Sequence, residues 1–276
     1  MTHVRVVAPA SVPERPVVLC WFPGGGMSSR YFDLDAPYDM AGHLAGLGFV
    51  NLLVDHPAVG RGAVPEDPWA LTPEAVADAD AGAIRQALGE LDLDDPVVIG
   101  GGHSMGAMLV VHQQARHRLY DGLALLGHSG RGLPEVLTPD ELAGAEPVVD
   151  LARTRFGQPL PQGETAASEM LVGPSLPPDA AAALDAARAP LLAVCGLAAM
   201  IPGSHAAELA SVDVPVFLGI AEHDITGPPH EAPSYLTGAT DVTLHVVLGG
   251  FHNSNVADRR VALWDRLALW ARTVPA

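Results

Sequence analysis

The chain has 276 residues, 49% of them hydrophobic, with 32 acidic against 15 basic side chains and a formal net charge of −17. That is enough apolar sequence for one large core, and so strong an acidic excess disfavours nucleic acid and anionic membrane surfaces as partners. Two cysteines, Cys20 and Cys195, supply neither a disulfide framework nor a CxxC metal pattern, so no metal site is expected.

Met1 to Pro16 carries charges and prolines without the apolar stretch of a signal peptide, and no segment approaches the length of a membrane span. The expectation is a cytoplasmic protein acting on a small, neutral or weakly polar molecule. Val17–Trp21 reads as a buried strand that ends at Pro23, followed by the glycine-rich loop Gly24-Gly25-Gly26. Asp39 to Leu47 reads as a short helix, with Met40, Leu44 and Leu47 at helical spacing, and Phe49 to Val54 as the next strand. Thr72 to Leu91 is a helix opened by a Thr72-Pro73-Glu74-Ala75 cap, slightly off the spacing of a capping box. Pro96 to Ile99, Leu123 to Leu126, Val214 to Ile220 and Val242 to Val247 follow as strands, and Val256 to Arg272 closes the chain as a helix.

Short apolar strands separated by helices predict an α/β fold, with a mostly parallel sheet covered by helices on both faces. The segment 131–190 interrupts the alternation. It holds no convincing strand, several prolines and the alanine-rich helical run Asp179 to Arg188, with Leu142, Val148, Leu151, Met170 and Leu184 recurring through it. It predicts a folded helical cap or lid, inserted into a core made of residues 1–130 and 191–276.

The chemistry centres on Gly102-His103-Ser104-Met105-Gly106. A strand leads in and a helix leads out, so Ser104 sits at the apex of a tight turn, and glycines flank it where a Cβ would not fit. The pentapeptide alone is a weak signal; the rest of the constellation strengthens it. Of twelve histidines, His252 in Gly249-Gly250-Phe251-His252-Asn253 is the candidate base, because a glycine-bounded loop at a strand end leaves an imidazole orientable. Asp224 is the candidate carboxylate, since the Asp-Ile-Thr-Gly-Pro turn can aim a short side chain back at the sheet edge; Glu222 is the rival. An oxyanion would need two N–H donors, expected from Met105 and from Gly25, with Gly24 and Gly26 as neighbours in the same loop. His56, in Asp55-His56-Pro57, reads as part of a strand-end loop. Gly127-His128-Ser129-Gly130 lacks the second glycine of a nucleophile turn. His112 and His117 are expected to face solvent on the helix after Ser104.

The order of glycine-rich loop, GHSMG turn, Asp224 and His252 resembles the α/β-hydrolase superfamily, with a cap after the strand that follows the nucleophile helix. That resemblance implies a mainly parallel, eight-stranded sheet, a Ser-Asp-His triad at the carboxyl ends of the strands, and no cofactor. Within it, Cys20–Gly26 and Gly102–Ala107 are similar to type II thioesterases of polyketide and peptide assembly lines. Those usually carry a histidine before the oxyanion glycine, where this chain has Pro23-Gly24, so the contact made by that histidine is missing. A serine at position 104 disfavours epoxide hydrolases and haloalkane dehalogenases, which resemble this fold but use aspartate. The expected activity is hydrolysis of an ester, lactone or thioester of a small, mainly apolar molecule through an acyl-enzyme, with an acyl-carrier protein as partner in the thioester case. Alternatives on the same fold are a triad-based lyase or C–C bond hydrolase, and a non-catalytic small-molecule receptor.

Overall fold

Alternate residues of Val17–Phe22 enter different cores, as a strand buried on both faces requires. Leu19 and Trp21 pack on one side of the sheet, Val18, Cys20 and Phe22 on the other. In the computed structural model, which describes residues 1–144, 146–163 and 166–275, the sheet has seven strands: β1 (His3–Val7), β2 (Val17–Phe22), β3 (Val50–Asp55), β4 (Val97–His103), β5 (Gly122–Leu126), β6 (Val216–His223) and β7 (Val242–Phe251). Their order is β1-β3-β2-β4-β5-β6-β7, and every neighbouring pair is parallel except β1 against β3.

The sheet is therefore one strand short of the eight that the family resemblance implies. Ahead of β2 the chain supplies only β1, which runs antiparallel along the outer edge of β3. The connection that follows holds Pro9, Pro13 and Pro16, which have no N–H to donate to a ladder, so no further strand forms there.

Helices α1 (Met40–Gly46) and α10 (Arg260–Ala271) cover one face, with Met40, Leu44, Leu263, Trp264 and Leu267 fully buried against Trp21 and Phe217. Each such side chain contributes about 1.5–3 kcal/mol of burial. On the other face lie α2 (Pro73–Glu90) and α3 (Met105–His117), bringing Ile84, Val110 and Val111 to the second core. Thr72 caps α2 by accepting from the Ala75 N–H at 3.3 Å, a simple N-cap. Between β5 and β6 lie α4 (Pro139–Ala143), α5 (Val148–Phe156), α6 (Glu169–Val172), α7 (Pro178–Ala186), α8 (Ala193–Met200) and α9 (Ala206–Ala210). After α7 the chain docks on the glycine loop, with Ala187 O accepting from Ser28 N and Ala189 N donating to Gly26 O, both at 2.8 Å. No helix among the described residues is long and apolar enough to cross a membrane.

The first ten residues of α3 are buried, and His112 is among them at 3% exposure, not facing solvent as its sequence position suggests. Packing of α9 against α3 covers it, and the His205 ring lies 6.2 Å away. His205 also meets His128, Nε2 to Nε2 at 3.0 Å. The proton positions follow from the neighbours. Ser204 Oγ donates to Ala198 O at 2.6 Å, so it accepts from His205 Nδ1 at 2.9 Å, and His205 Nε2 must accept from His128. Both rings are neutral.

Burial holds His128 down at about 4, and burial together with His128 and His112 holds His205 down at about 2, against an ordinary value of 6.5. The unfolded chain takes up these protons as pH falls through 6.5, while the folded chain does not until 4 or below. The contribution of these two rings to stability is thus full above about pH 6.5 and falls toward pH 4, by about 1.4 kcal/mol per pH unit for each proton. Urea titrations at stepped pH are expected to show this slope, and His205→Phe, though less stable at pH 7, should flatten it by about one proton between pH 6.5 and 5. An unchanged slope would contradict the assignment.

Candidate active site

Parallel strands in register finish together, and here the residue just past each strand is a polar or chain-turning one. Ser104 is the first residue after β4, Asp224 the first after β6 and His252 the first after β7. Pro23 holds the same position after β2 and His56 after β3. The register pairs Phe22 with Gly102, which carries Gly24 alongside Ser104. A Cβ on Gly24 would stand 3.1 Å from the Ser104 Cβ.

Ser104 has φ +55° and ψ −121°, a conformation that costs a non-glycine residue about 1–3 kcal/mol. The surroundings enforce it. Its N–H donates to Leu126 O at 2.9 Å, and α3 starts so close to β2 that a Cβ on Gly106 would lie 2.1 Å from Phe22 O. Gly102 is equally constrained, since its Cβ would reach within 2.5 Å of the Gly106 and Ala107 backbone. The glycines therefore bring the strand, the turn and the helix within backbone contact, with the serine as the one side chain left projecting.

His252 Nδ1 lies 2.8 Å from Asp224 Oδ1, with both side chains almost fully buried. The same Oδ1 accepts from Thr226 N at 3.1 Å and Thr226 Oγ1 at 3.0 Å, while Oδ2 is buried without a partner among the described residues. Burial opposes the Asp224 charge, yet His252 and the Thr226 donors outweigh it and hold the carboxyl down at about 2. Glu222, the rival carboxylate, accepts from Gly249 N at 2.7 Å on the exposed side of the β6–β7 irregularity. Ser104 and His252 line the same cavity; among the described residues no hydrogen bond joins Ser104 Oγ to the ring in this conformation. Such contacts commonly tighten only when substrate is bound.

The His252 loop is held from three sides. Asn253 donates twice, Nδ2 to Ala166 O at 2.6 Å and N to Leu171 O at 2.8 Å. Asn255 Nδ2 donates to Tyr31 O at 3.2 Å. His103 Nε2 donates to the His252 carbonyl at 3.0 Å, its ring lying between Tyr31 and His252 at centroid distances of 4.6 and 4.7 Å. Burial first, and then the neighbouring His252, hold His103 down at about 3, so it is neutral and Nδ1 carries the lone pair. Sequence reasoning assigned His103 no role, because its contact lies 149 positions away.

Gly25 and Met105 both line the cavity, and neither backbone N–H has a hydrogen-bond partner among the described residues. Two free donors beside a serine are what an anionic oxygen bound at that point requires. The cavity encloses about 280 Å³. Its wall is mostly apolar, with Met27, Leu133, Phe156, Met170 and Leu191 drawn from the glycine loop and the helical segment; Arg155 and Gln162 are its polar members beyond the serine end. Arg155 is itself held by Glu141, from Nη1 to both carboxylate oxygens at 2.9 and 2.8 Å.

A model of the alpha/beta hydrolase family matches residues 17–264. No curated protein matches the chain by sequence. Among solved structures, an esterase from Exiguobacterium antarcticum superposes with a TM-score of 0.69 at 15% identity, covering 99% of this chain and 96% of its own. A lipase in its open form gives 0.72 at 22% identity, covering 99% and 94%. A monoacylglycerol lipase from Paleococcus ferrophilus gives 0.70 at 16% identity, covering 100% of both chains. At these identities the likeness speaks for the fold.

Proposed function

The chain belongs to the alpha/beta hydrolase family, and from that premise we propose that it is a serine hydrolase of carboxylic esters, lactones or thioesters. The observation that carries this reading is Ser104, held in a strained turn, in one cavity with His252, which is paired behind it with Asp224. His252 takes the Ser104 proton as Oγ attacks the carbonyl carbon, and the oxygen that becomes anionic rests on the Gly25 and Met105 N–H groups. Collapse expels the alcohol or thiol, which leaves with the proton from His252. A water molecule, deprotonated by the same ring, then cleaves the acyl-enzyme and frees the acid. Asp224 stabilises the imidazolium formed in both halves.

The helical segment 131–190 acts in this reading as a cap, which closes the pocket over a small molecule. The apolar wall favours an apolar, medium-chain acyl group. With p-nitrophenyl esters, kcat/KM is expected to rise by up to about fourfold per added methylene until the cavity is full. Equal turnover of short polar and long apolar esters would overturn the acyl preference. The chemistry itself is tested by a fluorophosphonate probe, which should label the wild-type protein and not Ser104→Ala; mass spectrometry placing the adduct elsewhere would overturn it. An acyl-carrier thioester tried beside the free ester distinguishes a carrier-borne substrate from a free one.

A further inference from the structure

His56 is fully buried and both its ring nitrogens face acceptors. Nδ1 lies 2.6 Å from Asp80 Oδ2, and Nε2 lies 3.2 Å from the Pro23 carbonyl oxygen. Neither a carboxylate nor a carbonyl can donate, so satisfying both contacts takes two ring protons, and the ring is an imidazolium paired with Asp80 inside the core. Asp80 is completed by Thr2, whose hydroxyl donates to Oδ1 at 2.8 Å. Burial works against the charge, but Asp80 and the Pro23 carbonyl, with Asp55 nearby, raise His56 above its ordinary value.

A buried ion pair is expensive, and removing it in favour of apolar residues is often harmless to stability. What distinguishes this one is its third member. Pro23 opens the loop Gly24-Gly25-Gly26, the most freely rotating sequence near the serine. Its peptide unit with Gly24 is planar and trans, so the direction of the Pro23 carbonyl sets the direction of the Gly24 N–H and the start of the Gly25 peptide. The carbonyl is clamped from two sides. His56 Nε2 donates to it, and Gly106, two residues past Ser104, packs so closely that a Cβ there would lie 2.5 Å from it. Farther along, the loop is tied through Met27 N to Gly24 O at 3.2 Å and Ala189 N to Gly26 O at 2.8 Å. The histidine that commonly precedes the glycine in this loop is a proline here, and the donor to that stretch comes instead from the end of β3.

We propose that His56, with Asp80 behind it, is a positioning residue that aims the glycine-loop N–H groups at the oxygen of the reacting carbonyl. The proposal rests on the serine-hydrolase reading given above. It assigns His56 an effect on the transition state that exceeds its effect on substrate binding or on the stability of the fold.

Two amide substitutions separate the two ring contacts. His56→Asn places an N–H where Nδ1 was and keeps the Asp80 contact, whereas His56→Gln places one where Nε2 was and keeps the Pro23 contact. His56→Asn is expected to lower kcat for p-nitrophenyl butyrate by about 10–100-fold with KM within threefold, in line with the cost of a misplaced oxyanion donor. Affinity for phenylboronic acid, whose tetrahedral adduct puts an oxygen in the same place, should fall by the same factor. His56→Gln should stay within about fivefold of wild type in kcat while melting at a lower temperature than His56→Asn, since it strands the buried Asp80 carboxylate. Asp80→Asn is an independent variant that removes the charge behind the ring, leaving a neutral imidazole whose donor to the Pro23 carbonyl is weaker, and is expected to reproduce a small part of the kcat loss. Activities that track melting temperature across the three variants, or a His56→Asn enzyme with wild-type kcat, would overturn the proposal alone. Failure of the wild-type protein to label at Ser104 would instead fall on the hydrolase reading and take this proposal with it.

Discussion

Ser104→Ala is expected to lower kcat/KM by about 10⁴–10⁶-fold, with circular dichroism and melting temperature nearly unchanged. The asymmetry between a large kinetic effect and a small structural one follows from the turn. Ser104 Oγ makes no hydrogen bond to protein among the described residues, so its loss leaves no partner unsatisfied, and the strained φ of +55° persists with alanine because the Cβ remains. Ser104→Gly separates strain from chemistry. It should be as inactive as alanine yet more stable, by about 1 kcal/mol, after the relief of about 1–3 kcal/mol of strain is set against the extra unfolded-state entropy of glycine, about 0.4–1 kcal/mol. Steady-state kinetics beside chemical denaturation of both variants reads the two effects separately. A Ser104→Ala protein that keeps a tenth of wild-type activity would remove the serine from the mechanism, and a Ser104→Gly protein less stable than wild type would show that the turn is not strained.

The same geometry explains what the sequence made visible. Each buried strand contains a short apolar run, and the candidate residues Ser104, Asp224 and His252 stand four or five residues beyond those runs and one residue beyond the strands themselves. Strand ends were displaced where the strand continues in glycine or polar residues. β4 runs through Gly100-Gly101-Gly102-His103, and β7 through Leu248-Gly249-Gly250-Phe251, beyond the apolar segments that announce them. β1 is hard to read because a half-buried edge strand in which His3 and Arg5 alternate with valines lacks the continuous apolar run of the central strands. His112 was misread because helix polarity was taken as exposure. His112, Gln113 and Gln114 end an apolar stretch, yet all three are buried, with Gln113 accepting from the Tyr120 hydroxyl and Gln114 bonded to the Tyr120 backbone. His56 was illegible for a different reason. Its partners Asp80 and Pro23 stand 24 and 33 positions away, and no local pattern records a contact made across three elements.

Asp224 gives the second large effect, and the arrangement around it makes the outcome depend on which residue replaces it. Asp224→Ala removes the acceptor for His252 Nδ1–H and frees the ring to take the wrong tautomer, for an expected loss of about 10⁴-fold in kcat. Asp224→Asn should cost far less, about 10²-fold. Thr226 N and Thr226 Oγ1 both donate to Oδ1, and Oδ2 has no partner, so the amide of an asparagine has one favourable orientation. Its oxygen takes the Oδ1 position and goes on accepting from His252 Nδ1, which preserves the tautomer. What is lost is the negative charge facing the imidazolium, and the expected loss of about 10²-fold corresponds to about 2.7 kcal/mol of transition-state stabilisation. The decisive variant is Thr226→Val in the Asp224→Asn background. It removes one of the two donors that select the amide orientation and leaves the backbone N–H, so kcat should drop part of the way further toward the alanine value, although Thr226→Val alone should leave kcat within about tenfold of wild type. If asparagine and alanine prove equally damaging at position 224, the carboxylate acts through its charge and the two Thr226 donors do not set the geometry of the pair.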